Sequence, residues 1–209
     1  MICTAGSCHM MIVIATSPPP GPRERMIQSA ALLFRQQGIA CTSFSDIIEH
    51  SGAPRGSIYH HFPGGKAQLA EETIRWAGAS IGGLVDRSAS AGDPVRMVRD
   101  FVALWRTQLD RSDFGAGCPV AAAAVESADE LPGLVAVAGE QFARWQAAFA
   151  GCLRGAGVRR ARAARLATLA IASIEGAIVL CRAAHDIAPL DRVGRELELV
   201  VRDALPAAS

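Results

Sequence analysis

Two short helical stretches separated by a glycine, residues 43–50 and 54–62, restrict this chain more than any other feature. Neither is long enough to be stable as an isolated helix in water. Ser43 followed by Asp46 is a capping pattern. Gly52 offers the left-handed exit, Pro54 fits a first helical turn, and Pro63 ends the second stretch. Both stretches must therefore be held by other helices. Short helices joined by a Gly-containing turn form the helix-turn-helix, an arrangement that displays its second helix to a DNA groove.

The supporting helix is readable upstream. Ile27, Ala30, Ala31 and Phe34 make one apolar stripe, with Pro22 suited to the first turn and Gly38 to the exit. Downstream, apolar residues recur at spacings of three and four, and no run alternates as a strand would. The spacing predicts helices over about 66–82, 94–110, 119–127, 131–155, 158–186 and 189–204. An all-α chain follows, with a three-helix head at 22–65 and a six-helix body at 66–209.

Residues 1–21 are expected to be a flexible, non-helical arm, stiffened by Ser17-Pro18-Pro19-Pro20-Gly21-Pro22. Ser7-Cys8-His9-Met10 resembles a vector-derived scar. The apolar run from Met10 to Thr16 is far shorter than the ~18 residues of a membrane span and has no basic leader. No membrane association is expected.

Hydrophobic residues make up 50% and charged residues 20% of the 209, which excludes a disordered chain. A net charge of +1 means that any DNA-binding patch is local. Of the 21 basic residues only Lys66 is a lysine. The six cysteines, Cys3, Cys8, Cys41, Cys118, Cys152 and Cys181, form no CxxC pair. That spacing points to buried free thiols in a reducing cytoplasm, and to no cofactor, metal or disulfide framework.

On the second short helix Ile58 and Phe62 turn inward, which leaves Arg55, Ser57, Tyr59 and His60 as polar readers. Arg55 in the first turn would fork onto a guanine, and Ser57 would meet a base or a phosphate. Tyr59 and His60 suit phosphates or thymine methyl groups. Gly56 costs helix stability, and either close approach to DNA or close packing on a neighbouring helix would explain it. Lys66 at a helix start opposes the macrodipole, a conflict that a bound phosphate would remove. Thr42 and Ser43 would clamp another phosphate, or simply cap.

Residues 23–69 as a whole resemble the N-terminal domain of the tetracycline-repressor (TetR) family. The carrying residues are Ala31-Leu32-Leu33-Phe34, Gly38, Thr42-Ser43-Phe44, Asp46-Ile47, Gly52, Gly56 through Phe62, and Lys66. Pro54 departs from the Ser or Thr cap that many members carry. Gly117-Cys118-Pro119-Val120-Ala121, Glu126 and Ser173 through Ala177 resemble the LmrA/YxaF-type subgroup. The resemblance implies a homodimeric repressor that a small apolar or amphipathic effector releases from a palindromic double-stranded operator.

In the body, residues 158–186 are rich in alanine and glycine, and the last helix carries Leu190, Val193, Leu197, Val200 and Ala204 at helical spacing. These two helices either close the monomer core or form a four-helix bundle across a twofold axis. Phe101, Trp105, Trp145 and Phe149 are candidates to line an effector cavity, or are ordinary core. Glu175 is costly in so apolar a run. It would bind a cationic or hydrogen-bonding ligand, or pair with an arginine such as Arg144, or pair across a dimer. Cys118, a further candidate ligand contact, opens a helix after a glycine-rich loop, so it is either a reactive thiol or a small buried residue. Two competing readings follow: a redox-sensing regulator through Cys118 or Cys152, and a small helical enzyme using Cys118, His185 and Glu175. The second lacks an ordered nucleophile–base spacing, a phosphate loop and a metal signature. His185 reads as a surface or capping residue.

Overall fold

The computed structural model describes residues 20–126 and 131–206. Most of the expected arm and Ser127 lie outside the described residues. Among these residues there are nine helices and no strand. The head holds α1 (Pro22–Gln37), α2 (Phe44–Ser51) and α3 (Ser57–His61). The body holds α4 (Gly65–Ser90), α5 (Pro94–Arg111), α6 (Pro119–Glu126), α7 (Pro132–Gly155), α8 (Arg160–Ala184) and α9 (Ala188–Ala204).

The head is assembled as its stripes require. Met26, Ile27, Ala30 and Phe34 of α1 are buried with Ile47, Ile58 and Phe62. The capping box at α2 is complete: the Asp46 N–H donates to Ser43 Oγ at 3.2 Å, and the Ser43 N–H donates to Asp46 Oδ2 at 2.8 Å. Gly52 ends the helix in the left-handed conformation, at φ 63°.

Two boundaries differ from the sequence expectation. Pro54 does not open α3. Its carbonyl accepts from the Ser57 N–H at 2.9 Å and from Ser57 Oγ at 2.7 Å, so a turn occupies residues 54–56 and the helix starts at Ser57. Helix α4 does not stop at Gly82. It continues to Ser90, and Gly82 lies inside it where a Cβ would stand only 3.3 Å from the Trp145 indole nitrogen. That glycine serves close helix packing, and the chain turns at Ala91-Gly92 instead.

Helix α4 joins the two parts. Its first turns pack on α1, and its length lies along α5, α6 and α7. At 1.5 Å per residue it carries the chain about 39 Å from the head. Helix α8 packs between α7 and α9. By length and composition alone α8 would cross a membrane. Leu166, Ala170, Ile171, Ile174 and Ile178 are buried in the core, so it is a core helix here.

Candidate nucleic-acid interface and the polar node behind it

The outer face of the head is built from α3, the turn before it and the starts of α2 and α4. Tyr59 is 68% exposed, and its ring meets Phe44 edge-on at 5.8 Å between centroids. Arg55, Gly56 and His60 are exposed, and Ser57 is half-buried. Arg55 stands in the turn ahead of α3, not in its first helical turn as the sequence implied. A Cβ at Gly56 would meet nothing within 4 Å. Close packing on another helix therefore does not explain this glycine, and the open side faces solvent.

Two expected phosphate contacts are repositioned. Thr42 is fully buried, and its hydroxyl donates to the Gly38 carbonyl at 2.6 Å and accepts from Gln37 Nε2 at 3.3 Å. Its hydrogen-bonding capacity is spent on closing the α1–α2 turn, so no phosphate reaches it. Ser43 is exposed, but its side chain serves the capping box. Lys66 is half-buried, and its Nζ donates to the Ala40 carbonyl at 3.3 Å. Its charge also helps hold Asp46 low, after the hydrogen bonds from Ser43. The conflict with the α4 dipole is thus relieved partly within the head.

The four body aromatics are brought together. Phe101 meets Trp105, Trp145 and Phe149 at 6.3, 6.3 and 5.6 Å, and all four rings are buried. They pack on one another as core. The Trp145 indole donates to the Gly78 carbonyl at 3.0 Å, whereas Trp105 Nε1 is buried with no hydrogen-bond partner among the described residues.

Glu175 does not pair with Arg144, which is engaged by Asp86 at 2.8 Å across α4 and α7. Glu175 is partly buried as a residue, but its Oε1 is sealed from solvent and has no hydrogen-bond partner among the described residues. Burial pushes its carboxyl up to about 7, and a hydrogen bond from the Cys118 thiol opposes this in part. The same contact explains Cys118. Loss of solvent and then the Glu175 charge push the thiol well above its ordinary value, against the backbone N–H groups of Ala121 and Val120. Burial outweighs the helix N-terminus, so Cys118 is not a reactive thiolate. Cys152 is buried and also raised by burial, and Cys41, expected to be buried, is exposed. His185 ends α8 at φ 52°, beside Asp113 at 3.1 Å.

A second group of contacts ties this region to the head. Arg35, in the last turn of α1, donates from Nε to the Gly117 carbonyl at 2.8 Å and from Nη1 to Gln108 Oε1 at 2.9 Å. The Gly117 N–H returns a bond to the Arg35 carbonyl at 3.1 Å. Arg35 Nη2 is buried without a hydrogen-bond partner among the described residues. From the α8 side Arg182 Nη2 donates to the Gly115 carbonyl at 3.3 Å. At the end of α6, Glu126 Oε2 accepts from the Ile39 N–H at 2.8 Å, in the α1–α2 turn. The pattern of residue types did not reveal these contacts. An arginine near a helix C-terminus reads as an ordinary dipole partner.

A short helix with an exposed polar face, braced by two others and anchored through α4 to a larger helical body, defines the helix-turn-helix class of transcriptional regulator. Sequence models agree at both ends of the chain. "Bacterial regulatory proteins, tetR family" matches residues 26–73, and "Transcriptional regulator LmrA/YxaF-like, C-terminal domain" matches residues 94–196. An uncharacterized HTH-type transcriptional regulator of Mycobacterium tuberculosis (strain ATCC 25618 / H37Rv) is 41% identical over 194 residues, covering 90% of this chain and 98% of its own. The HTH-type transcriptional regulator YxaF of Bacillus subtilis (strain 168) is 34% identical over 181 residues, covering 86% and 95%. A TetR-family regulator of Chloroflexus aurantiacus superposes with a TM-score of 0.72 at 29% identity, over 90% of this chain and 97% of that one. The chain belongs to the TetR family, with an LmrA/YxaF-like C-terminal domain.

Proposed function

We propose that this regulator is a cytoplasmic homodimeric repressor that a small apolar or amphipathic molecule releases from a palindromic operator. The carrying observation is the pairing of an open α3 surface with a strained polar node in the body. Arg55, Ser57, Tyr59, His60 and Lys66 supply base and phosphate contacts on the head, and the bare backbone at Gly56 lets α3 approach closely. Ser43 adds a phosphate contact only as far as its cap permits.

In the body, Trp105 Nε1 and Glu175 Oε1 are buried and unpartnered among the described residues, an arrangement that costs free energy until something binds them. An effector that parts Phe101, Trp105, Trp145 and Phe149 would satisfy Trp105 Nε1, and a hydrogen-bonding group that reaches Glu175 would satisfy its carboxyl. Cys118 links this point to Gly117, and Gly117 to Arg35 and α1. An effector that favours a different position of Cys118 would shift the head, since differential affinity for two states is all that release requires. The redox reading has less support, because a buried and protonated Cys118 reacts slowly with oxidants.

The first test is selection of bound duplexes from a random DNA pool by ligand-free protein. A palindromic motif is the expected result. Recovery of no motif from folded protein overturns the operator reading.

A further inference from the structure

We propose that the turn between α7 and α8 is a second polyanion-binding surface, separate from the head, and that its occupant is double-helical DNA. From Gln141 through Ile174 the sequence contains no Asp or Glu, yet it places Arg154, Arg159, Arg160, Arg162 and Arg165 within twelve residues. All five are exposed. Among the described residues none of the five forms an ion pair, whereas Arg23, Arg75, Arg99, Arg106, Arg144 and Arg202 each face a carboxylate.

The placement is unfavourable for the isolated chain. Arg159 and Arg160 sit at the start of a 25-residue helix, where cations oppose the macrodipole. Arg159, Arg162 and Arg165 follow one another at three-residue spacing, so like charges share a face. The nearby carboxylates are already used. Asp86 holds Arg144, and Asp93 caps α5 through the N–H groups of Val95 and Arg96. An external anion removes every one of these costs.

Position excludes the head as the source of that anion. An open groove of about 390 Å³ is lined by Asp86, Ala89 and Ser90 of α4 and by Ala148, Cys152 and Gly155 of α7. It fixes the α7–α8 turn beside the far end of α4, about 39 Å of helix from Gly65. Composition then selects the partner. The exposed residues of 154–165 are arginine, glycine and alanine, with no aromatic or large apolar side chain among them. Stable membrane anchoring needs an apolar element beside basic charge, and protein interfaces combine arginine with aromatic anchors, whereas a phosphate backbone needs only charge and close approach.

The test uses full-length protein saturated with operator duplex and offers it a fluorescent 30-base-pair duplex of random sequence. Wild type should capture the second duplex. R159Q/R162Q/R165Q should lower that affinity at least tenfold at low salt and reduce the log–log salt slope by about 2–3. Operator affinity should stay within twofold. Four results overturn the proposal, the first three being no capture by wild type, capture that the triple variant leaves unchanged, and a fall in the oligomeric mass of the variant, which would assign the arginines to a contact between copies of the chain. Polyglutamate of matched charge that binds as tightly as the duplex assigns the surface to an acidic protein, and also overturns it.

Discussion

Position 175 places a carboxyl group in a run of apolar residues, and among the described residues one of its oxygens is sealed and unpaired. Its value of about 7 lies above the ordinary one, so between about 4.5 and about 7 the native chain holds a proton that the unfolded chain has released. Stability from this group therefore falls as pH rises through that window. Glu175→Gln should flatten the pH dependence there and stabilise the protein at pH 8 by about 1–3 kcal/mol, while changing little at pH 4.5. Urea denaturation at both pH values checks this, and an unchanged slope would mean that the carboxyl is compensated. Arg55 belongs to the same scale but makes the opposite kind of prediction. It is exposed and forms no side-chain hydrogen bond or ion pair among the described residues, so Arg55→Ala should leave the melting temperature unchanged. Operator affinity should fall by the ~1–3 kcal/mol of one bidentate base contact, about 5- to 150-fold, measured by fluorescence anisotropy.

Helix α3 carries the clearest test of how an element is used. Gly56 has an ordinary right-handed backbone, at φ −79°, and empty space where a Cβ would go. Gly56→Ala should therefore be neutral or stabilise by about 0.5–1 kcal/mol. If the bare backbone exists to approach DNA, the same change weakens operator binding severalfold or more. A variant that is more stable and binds as well as wild type removes that role. The elements of the head were legible because each boundary carries its own chemistry: Ser43 with Asp46 at one end of α2 and Gly52 at the other. The α3 start was misplaced because Pro54 suits both a helix and a turn, and the Ser57 hydroxyl and N–H settle the matter by engaging its carbonyl. The α4 end was misplaced because Gly82 punctuates a sequence but packs against Trp145 in space. Glu175 was visible as an anomaly, but its partner was not. Arg35 and Gly117 are 82 residues apart, and no local pattern joins them.

At the scale of the whole molecule, α8 has two faces, and the described chain covers one of them. Leu166, Ala170, Ile171, Ile174 and Ile178 are buried against α7 and α9. Leu169, Ala172, Gly176, Val179, Leu180 and Ala183 are exposed at spacings of three and four, and Leu169, Val179 and Leu180 are 45%, 63% and 57% exposed. Leu199 of α9 is 50% exposed as well. A continuous apolar stripe of this kind is disfavoured on a monomer, and small residues along it permit close approach of a second helix. A twofold partner seated on α8 and α9 would cover it and set two α3 helices on one side of the assembly. DNA half-sites about 34–36 Å apart then require both heads at once. Val179→Glu with Leu180→Glu should therefore convert the protein to a monomer at micromolar concentration, with its helical content retained. Operator affinity should fall at least 100-fold, because one short recognition helix cannot supply the contacts of two. Sedimentation velocity and anisotropy on the same samples decide the point. A variant that remains dimeric would move the interface elsewhere, and a monomer that keeps full affinity would separate dimerisation from DNA reading.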